Sequence, residues 1–311
     1  MSEWENGRRA ISTEYAAILR GVLGLTDEEL FGPAAQPAVT SDGYDELVAR
    51  IDAARSLSAG MVGTLLSQTE LLRTMDRQLG APQLVDQMNA HLSTLQDALT
   101  FAVLPDARRP VARALAEAAT LAAWQALDVG AIDRAWRHYE LAKSAARDAD
   151  ELAFLAHAMG EQAYVLADAG KPDMAIDLVR EAQRTGHGRI PSRLVAWLHS
   201  AEAELCSIAG RADECRRALD RAAAALPDGD AARDPDMPSI FLNHSHLARW
   251  RGNALALLGD DAAVNDLYAA LESMDSTFVR AQAGLRCDLA QAHLARGEHD
   301  EATKQLKEAR F

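Results

Sequence analysis

The sequence predicts an all-α fold in which helical hairpins stack one on the next, and three observations carry that prediction. Aromatic residues make up only 5% of the 311 residues, alanine is abundant and 49% of the chain is hydrophobic. Such a composition suits close helix packing and disfavours a strand-rich sandwich. Glycines recur at Gly130, Gly170, Gly210, Gly259 and Gly297, at intervals, by subtraction, of 40, 40, 49 and 38 residues. Around each of them the same alternation of small and large residues returns, the mark of a repeat architecture.

Five residues beyond the glycines stand Ala135, Ala175, Cys215, Val264 and Ala302. Four further on come Tyr139, Val179, Leu219, Tyr268 and Leu306, and three beyond those Ala142, Ala182, Ala222, Leu271 and Ala309. Seven residues before the glycines the chain has Ala123, Ala163, Ala203, Gly252 and Ala290. The glycine ends one helix, the small residues let two antiparallel helices approach to roughly 8–10 Å, and the larger ones fill the groove between them. Segments such as AGKPDMAIDLVREAQ and AGRADECRRALDRAA resemble the tetratricopeptide repeat. That resemblance implies a right-handed superhelical solenoid, here of five tetratricopeptide-like hairpins over residues 111–311, preceded by a helical N-terminal segment. The widest interval holds PDGDAARDPDMPS (227–239), read as a surface loop.

Upstream, residues 44–79 read as one long amphipathic helix, with Leu47, Ile51, Ala54, Ser58, Met61, Leu65, Gln68, Leu72, Met75 and Leu79 spaced by four and three. Gly80 and Pro82 stop it, and a second helix occupies about 83–104 before Pro105 and Pro110 break the chain. The two form a long-helix hairpin over 44–105. Its stripe has two readings: a coiled coil that makes a homodimer through 44–79, or packing on 83–104 within one chain. Gly60 and Gly63 weaken a continuous rod and favour the second. Residues 32–43, rich in Pro, Ala and Gly, read as a linker.

The first residues carry Ser2, Trp4, Glu5, Asn6, Gly7, Arg8 and Arg9, followed by an amphipathic helix over Ser12 to Leu23. This run resembles the end of a helix-turn-helix domain of the Cro/C1 (XRE) class. LLRTMDRQLGAPQLVDQMNAHLSTLQ (71–96) and residues 119–151 are similar to long regulators of that class from high-GC actinobacteria. The resemblance implies a transcriptional regulator whose helical repeats sense a partner. Residues 1–31 would be the remnant of the DNA-binding domain, with Trp4, Asn6, Arg8 and Arg9 its DNA-binding remnant. The domain's first two helices would lie before Met1, so nucleic acid is an expected partner only where a complete helix-turn-helix stands upstream. The net charge of -14 points the same way, because duplex binding needs a clustered positive field.

No GxxxxGK[ST], HExxH, GxSxG or GxGxxG motif is present, so no enzymatic activity and no cofactor is expected. His244 and His246 lack a third metal ligand in view. Asp228, Asp230, Asp234 and Asp236 lack the spacing and closing glutamate of a calcium loop. Cys206, Cys215 and Cys287 form no CxxC pair, and neither a disulfide framework nor a metal site is expected. A cytoplasmic setting follows from these cysteines and from the lack of a leader-like segment or a long apolar run, with no membrane contact expected.

The residues left to carry function are those that the first helix of each hairpin turns toward the hollow of the solenoid. Projecting the register gives Trp124 and Asp128, beside Glu117 and Thr120, in the first hairpin, then His157, Tyr164 and Asp168. The third contributes Trp197 and Glu204, beside Ser200, the fourth His246, Arg249 and Asn253, and the last Gln291. Asn and Gln pair with a peptide backbone in both directions, and Trp, Tyr and Arg are common anchors of interfaces. The expectation is a regulatory or sensor module that binds a peptide or protein partner in this groove. The alternatives are a standalone scaffold that titrates regulatory partners, or a DNA-binding regulator whose true start lies upstream.

Overall fold

A computed structural model describes residues 42–55, 59–228, 233–234 and 237–309, with a few positions between 17 and 26. Trp4, Asn6, Arg8, Arg9 and nearly all of the linker lie outside the described residues. The chain divides into two compact units, Met1–Asp52 and Ala53–Phe311. In the first, Arg50 pairs with Glu46 at 2.7 Å along helix α1 (Asp42–Arg55), which runs across the boundary. The second unit holds the remaining described elements.

Its described elements are α2 (Ala59–Leu79), a 3-10 turn (Ala81–Gln83), α3 (Val85–Phe101), α4 (Pro105–Asp128), α5 (Ile132–Ala149), α6 (Leu152–Asp168), α7 (Pro172–Gly186), α8 (Ser192–Ile208) and α9 (Ala212–Ala225). A short ribbon, β1 (Arg233–Asp234) and β2 (Met237–Phe241), follows, and then α10 (His244–Leu257), α11 (Ala262–Ser273), α12 (Val279–Ala295) and α13 (His299–Glu308). Helices α4 to α13 pair into five antiparallel hairpins, and the first helices of successive hairpins also pack on one another. The fold is the all-α solenoid of tetratricopeptide-like hairpins that the sequence predicts.

One local device closes the first helix of every hairpin. Gly130, Gly170, Gly210, Gly259 and Gly297 all adopt left-handed backbone, with φ between 68° and 76°. The residue after each glycine reaches back five positions: Ala131 N–H donates to the Ala126 carbonyl at 2.8 Å, Lys171 to Leu166 and Arg211 to Cys206 at 2.8 Å, and Asp260 to Leu255 and Glu298 to His293 at 2.9 Å. Such a helix stop needs a residue without Cβ strain at the turn, which is why glycine recurs there. The small positions are buried as the register requires, Ala135, Ala175, Cys215, Ala123, Ala163 and Ala203 completely. At Gly252 the paired helices leave no room for a side chain: a Cβ there would come within 2.6 Å of Leu267 Cγ.

Three expectations are corrected. Pro110 does not break the chain but lies inside α4, which starts at Pro105. Pro105 takes the first helical position, where no N–H is needed, and Pro110 forgoes one bond on an exposed turn while the rest of α4 is deeply buried. The segment 227–239 is not wholly loop. β1 and β2 pair antiparallel, and Met237 and Ile240 are buried under the solenoid. The stretch 44–79 is described as two helices, α1 and α2, with residues 56–58 between them outside the described set. The buried face of α2 follows the heptad stripe only in part. Of the stripe Leu72 is buried, but Met61, Gln68 and Leu79 are exposed, whereas Val62, Thr69, Arg73 and Asp76, outside it, are buried.

That rotation follows from what α2 packs on. It touches α3, where His91 Nε2 and Thr69 Oγ1 lie 2.8 Å apart, but it rests mainly on α4 and reaches across to α12 of the last hairpin. Arg280 of α12 donates to Asp76 of α2 at 2.9 Å and also bonds Asp128 at the end of α4. The first and last hairpins are therefore tied together across the hollow, with α2 laid over it. No described helix is long and apolar enough to cross a membrane.

Candidate functional site

The hollow between α2 and the hairpins is a cavity of about 450 Å3, a size typical of sites for small ligands. One wall is aromatic. Trp124 of α4 meets the Tyr164 ring edge-on at 6.1 Å, Tyr164 meets Trp250 at 6.5 Å, and Trp250 meets Trp197 at 5.9 Å. His157 stands edge-on to Trp197 at 5.1 Å. Its Nε2 lies 3.1 Å from Glu161, whose other oxygen accepts from the Tyr139 hydroxyl at 3.2 Å. Trp197 reaches this wall because α6 presents a glycine to it: a Cβ on Gly160 would lie 2.8 Å from the Trp197 ring.

The floor is polar. The Tyr164 hydroxyl donates to Glu204 Oε2 at 2.8 Å, and Asn253 Nδ2 donates to Asp288 Oδ1 at 3.0 Å. Burial pushes both carboxyls above their ordinary range. The Asp288 charge adds to this at Glu204, while the nearby Arg249 guanidinium works against the rise at both. Neither carboxyl has a cation within ion-pair distance, and Arg249 makes no hydrogen bond or ion pair of its own among the described residues. Asn253 Oδ1 is buried without a partner. His246 is held by Asn243, whose side-chain oxygen accepts from the His246 backbone N–H at 3.0 Å and from Nδ1 at 2.7 Å. Nε2 is thereby left as a buried acceptor without a partner. Burial, then Arg249 and Arg77, lower the His246 ring to about 4, so it stays neutral.

The lid is α2. Arg73 bonds Glu70 at 2.6 Å and lies 3.5 Å from Glu117, and Arg233 of the ribbon holds Glu70 from the other side at 2.7 Å. Arg77 stacks over Phe241 and Phe278 at 5.7 and 5.3 Å. Burial and the guanidiniums of Arg233 and Arg73 draw its pKa down to about 10, against the pull of Glu70 and Asp76.

Ten of the residues projected from the repeat register line this one cavity: Glu117, Thr120, Trp124, His157, Tyr164, Trp197, Glu204, His246, Arg249 and Asn253. Four do not. Asp128 is taken by Arg280, Ser200 is buried with its hydroxyl on the Ala196 carbonyl, and Asp168 and Gln291 are exposed outside the cavity. On α12 the lining residues are Gly284 and Asp288, two turns and one turn before Gln291 on the same face. Helical spacing carried upstream would have found them. Trp250, beside Arg249, was within reach of the same projection. Phe241, Phe278 and the α2 residues were not, because they come from the ribbon, a loop and a helix outside the repeat. Among the described residues no group of His, Cys, Asp or Glu is placed to hold a metal ion, and Asp230 and Asp236 of the acidic loop lie outside them. Cys206 and Cys215 are buried and free, and Cys287 is free and exposed. Burial raises both buried thiols to about 11.

No protein-family model matches the chain, and no curated protein matches it in sequence. Among solved structures it is similar to BtubC (BKLC) from P. vanneervenii, at 13% identity over 75% of this chain and 90% of that one, with a TM-score of 0.51. A kinesin light chain with nearly identical TPR-like repeats from Podosopora anserina matches at 15% identity over 61% of this chain and 91% of that one, with a TM-score of 0.42. The first likeness places the fold among the TPR-like helical repeats, and at this identity it speaks for the fold alone.

Proposed function

We propose that the chain is a regulatory module that binds a partner in the concave cavity of its helical repeats, taking in a short segment of a peptide or protein. The observation that carries this is the convergence of all five hairpins on one space whose aromatic wall and polar floor leave Arg249, Glu204 and Asp288 without ion partners. Buried charges and polar atoms without partners are costly in a merely structural core, so their concentration around a hollow favours a binding site. The tie between α12 and α4 and the lid α2 leave room for a few residues rather than for a long strand laid along an open groove.

The lid supplies the regulatory part. Arg73, Asp76 and Arg77 of α2 line the cavity, so a ligand there touches the helix that follows the N-terminal unit in the chain. A role in a transcriptional regulator rests on the resemblance of residues 1–31, 71–96 and 119–151 to the Cro/C1 class. A binding rather than catalytic role is supported by the absence of any catalytic motif in the sequence.

Selection of peptides against the full chain, followed by calorimetry, tests the proposal. Trp197→Ala and Asn253→Ala should each weaken the selected peptide by about 1–3 kcal/mol through lost ring contact or a lost buried hydrogen bond. Unchanged affinity in both variants, with the fold intact, would move the binding surface to the outer face of the solenoid.

A further inference from the structure

The charges of the floor say more about the ligand than its size does. Arg249 projects from α10 into the cavity between the carboxyls of Glu204 on α8 and Asp288 on α12, near enough to act electrostatically on both but paired with neither. A simple anion drawn to Arg249 would meet two carboxyls beside it, and a simple cation drawn to the carboxyls would meet Arg249. Only a ligand carrying both signs close together satisfies all three groups. The acceptor surplus points the same way: Glu204 and Asp288 offer oxygens to a donor, and Asn253 Oδ1, buried beside Asp288, lacks one.

We propose that the cavity takes a small zwitterion, a molecule with an α-ammonium group and a carboxylate a few bonds apart, as in a free amino acid or a short unblocked peptide. Its carboxylate would lie on the Arg249 guanidinium, its ammonium between Glu204 and Asp288, and its apolar remainder against Trp197, Trp250 and Tyr164. The inference rests on the reading of this cavity as a binding site and narrows the partner to one chemistry. Burial raises the pKa of both carboxyls, and an ammonium set between them would favour their charged forms.

The test uses the full 311-residue chain. The common L-amino acids and their L-alanyl dipeptides are screened by thermal shift, and the best of each set is measured by calorimetry beside its N-acetyl form, its C-terminal amide and the form blocked at both ends. The amino acid and dipeptide arms separate the two sources of the zwitterion. The inference expects blocking either end to weaken binding about 10- to 100-fold, the loss of one charge-assisted hydrogen-bonded contact. Arg249→Ala should abolish the preference for the free carboxylate, and Glu204→Gln the preference for the free ammonium. Doubly blocked forms that bind as tightly as the zwitterion, with Trp197→Ala still weakening them, would overturn the zwitterion and leave the cavity a binding site. No binding by any unblocked form while selected longer peptides bind at Trp197 would overturn it equally. No binding by any probe or selected peptide would remove both readings. Because the analogue series is run on the unaltered protein, the result does not depend on how well a variant folds.

Discussion

Glu202 and Glu204 sit two residues apart on α8, point to opposite sides of the solenoid, and meet opposite fates. Glu202 faces the outer side, buried, where it accepts from Arg180 at 2.8 Å, Arg221 at 2.8 Å and Gln183 at 3.0 Å, with His199 at 3.5 Å. Burial alone would raise its pKa, but these donors outweigh burial and hold it far below the ordinary carboxylate range. Glu204 faces the hollow with one donor, Tyr164, and burial prevails, so its pKa rises. Depth in the protein is therefore not what separates them. The number of donors each carboxyl meets decides whether it locks the fold or waits for a ligand.

The sharpest way to break the comparison is to remove each acid in turn. Glu202→Ala should cost about 3–5 kcal/mol, because it leaves Arg180 and Arg221 clustered without their shared carboxylate. Glu204→Gln should change stability by no more than about 1 kcal/mol, since the amide oxygen still accepts from Tyr164. Denaturant unfolding of both variants decides, and equal losses would show that the hollow is a structural core after all.

Next in size are substitutions that disturb the spacing on which both sides of α8 and α10 depend. Ala163→Leu, Ala203→Leu and Gly252→Ala should each cost about 1–3 kcal/mol by overpacking, the last because the new Cβ meets Leu267. If thermal midpoints were unmoved for all three, the hairpin register would be wrong.

Smaller, and opposite in sign for the two acids, is the dependence on pH. Glu202 has a folded pKa below its unfolded value near 4.5, so its contribution is present above that value and is lost as pH falls through the folded one. Glu204 has a folded pKa above 4.5, so it costs nothing below that value and its cost grows as pH rises toward the folded one. Glu204→Gln should thus gain on the parent between mildly acidic and neutral pH, and Glu202→Gln should lose most at neutral pH. Parallel profiles for the two variants would contradict the assignment. The smallest effect belongs to an exposed pair: Asp173→Ala, which removes one of the two carboxylate partners of Arg211, should shift stability by under about 1 kcal/mol. A larger loss would mean that surface ion pairs, and not donor number at buried acids, hold the hairpins.

Much of the site was legible in the sequence because the same register repeats in each hairpin. Once Ala163 and Ala203 are placed where helices touch, Tyr164 and Glu204 must turn toward the hollow, and Asn253 follows from Gly252 in the same way. The projection failed at its ends. Gln291 was chosen where Asp288 lines the cavity, because the last hairpin offers no later repeat against which to align its face. It failed also at α2, whose apolar stripe suggested one buried face while Arg73 and Asp76 occupy another.

The sequence by itself determined the hairpins: a helix stop that needs positive φ and a helix contact that needs a missing or minimal side chain are local demands, met within a few residues of Gly130, Gly170, Gly210, Gly259 and Gly297. Only the tertiary structure decided that the groove is covered. Arg280 meets Asp76 and Asp128 because small rotations between successive hairpins accumulate until the last one returns to the first. No single repeat encodes that sum, and the partners it brings together lie 204 and 152 residues apart in the chain. A similar gap separates sequence from chemistry at Glu202 and Glu204, whose different pKa values are set, apart from His199 on their own helix, by donors on neighbouring helices.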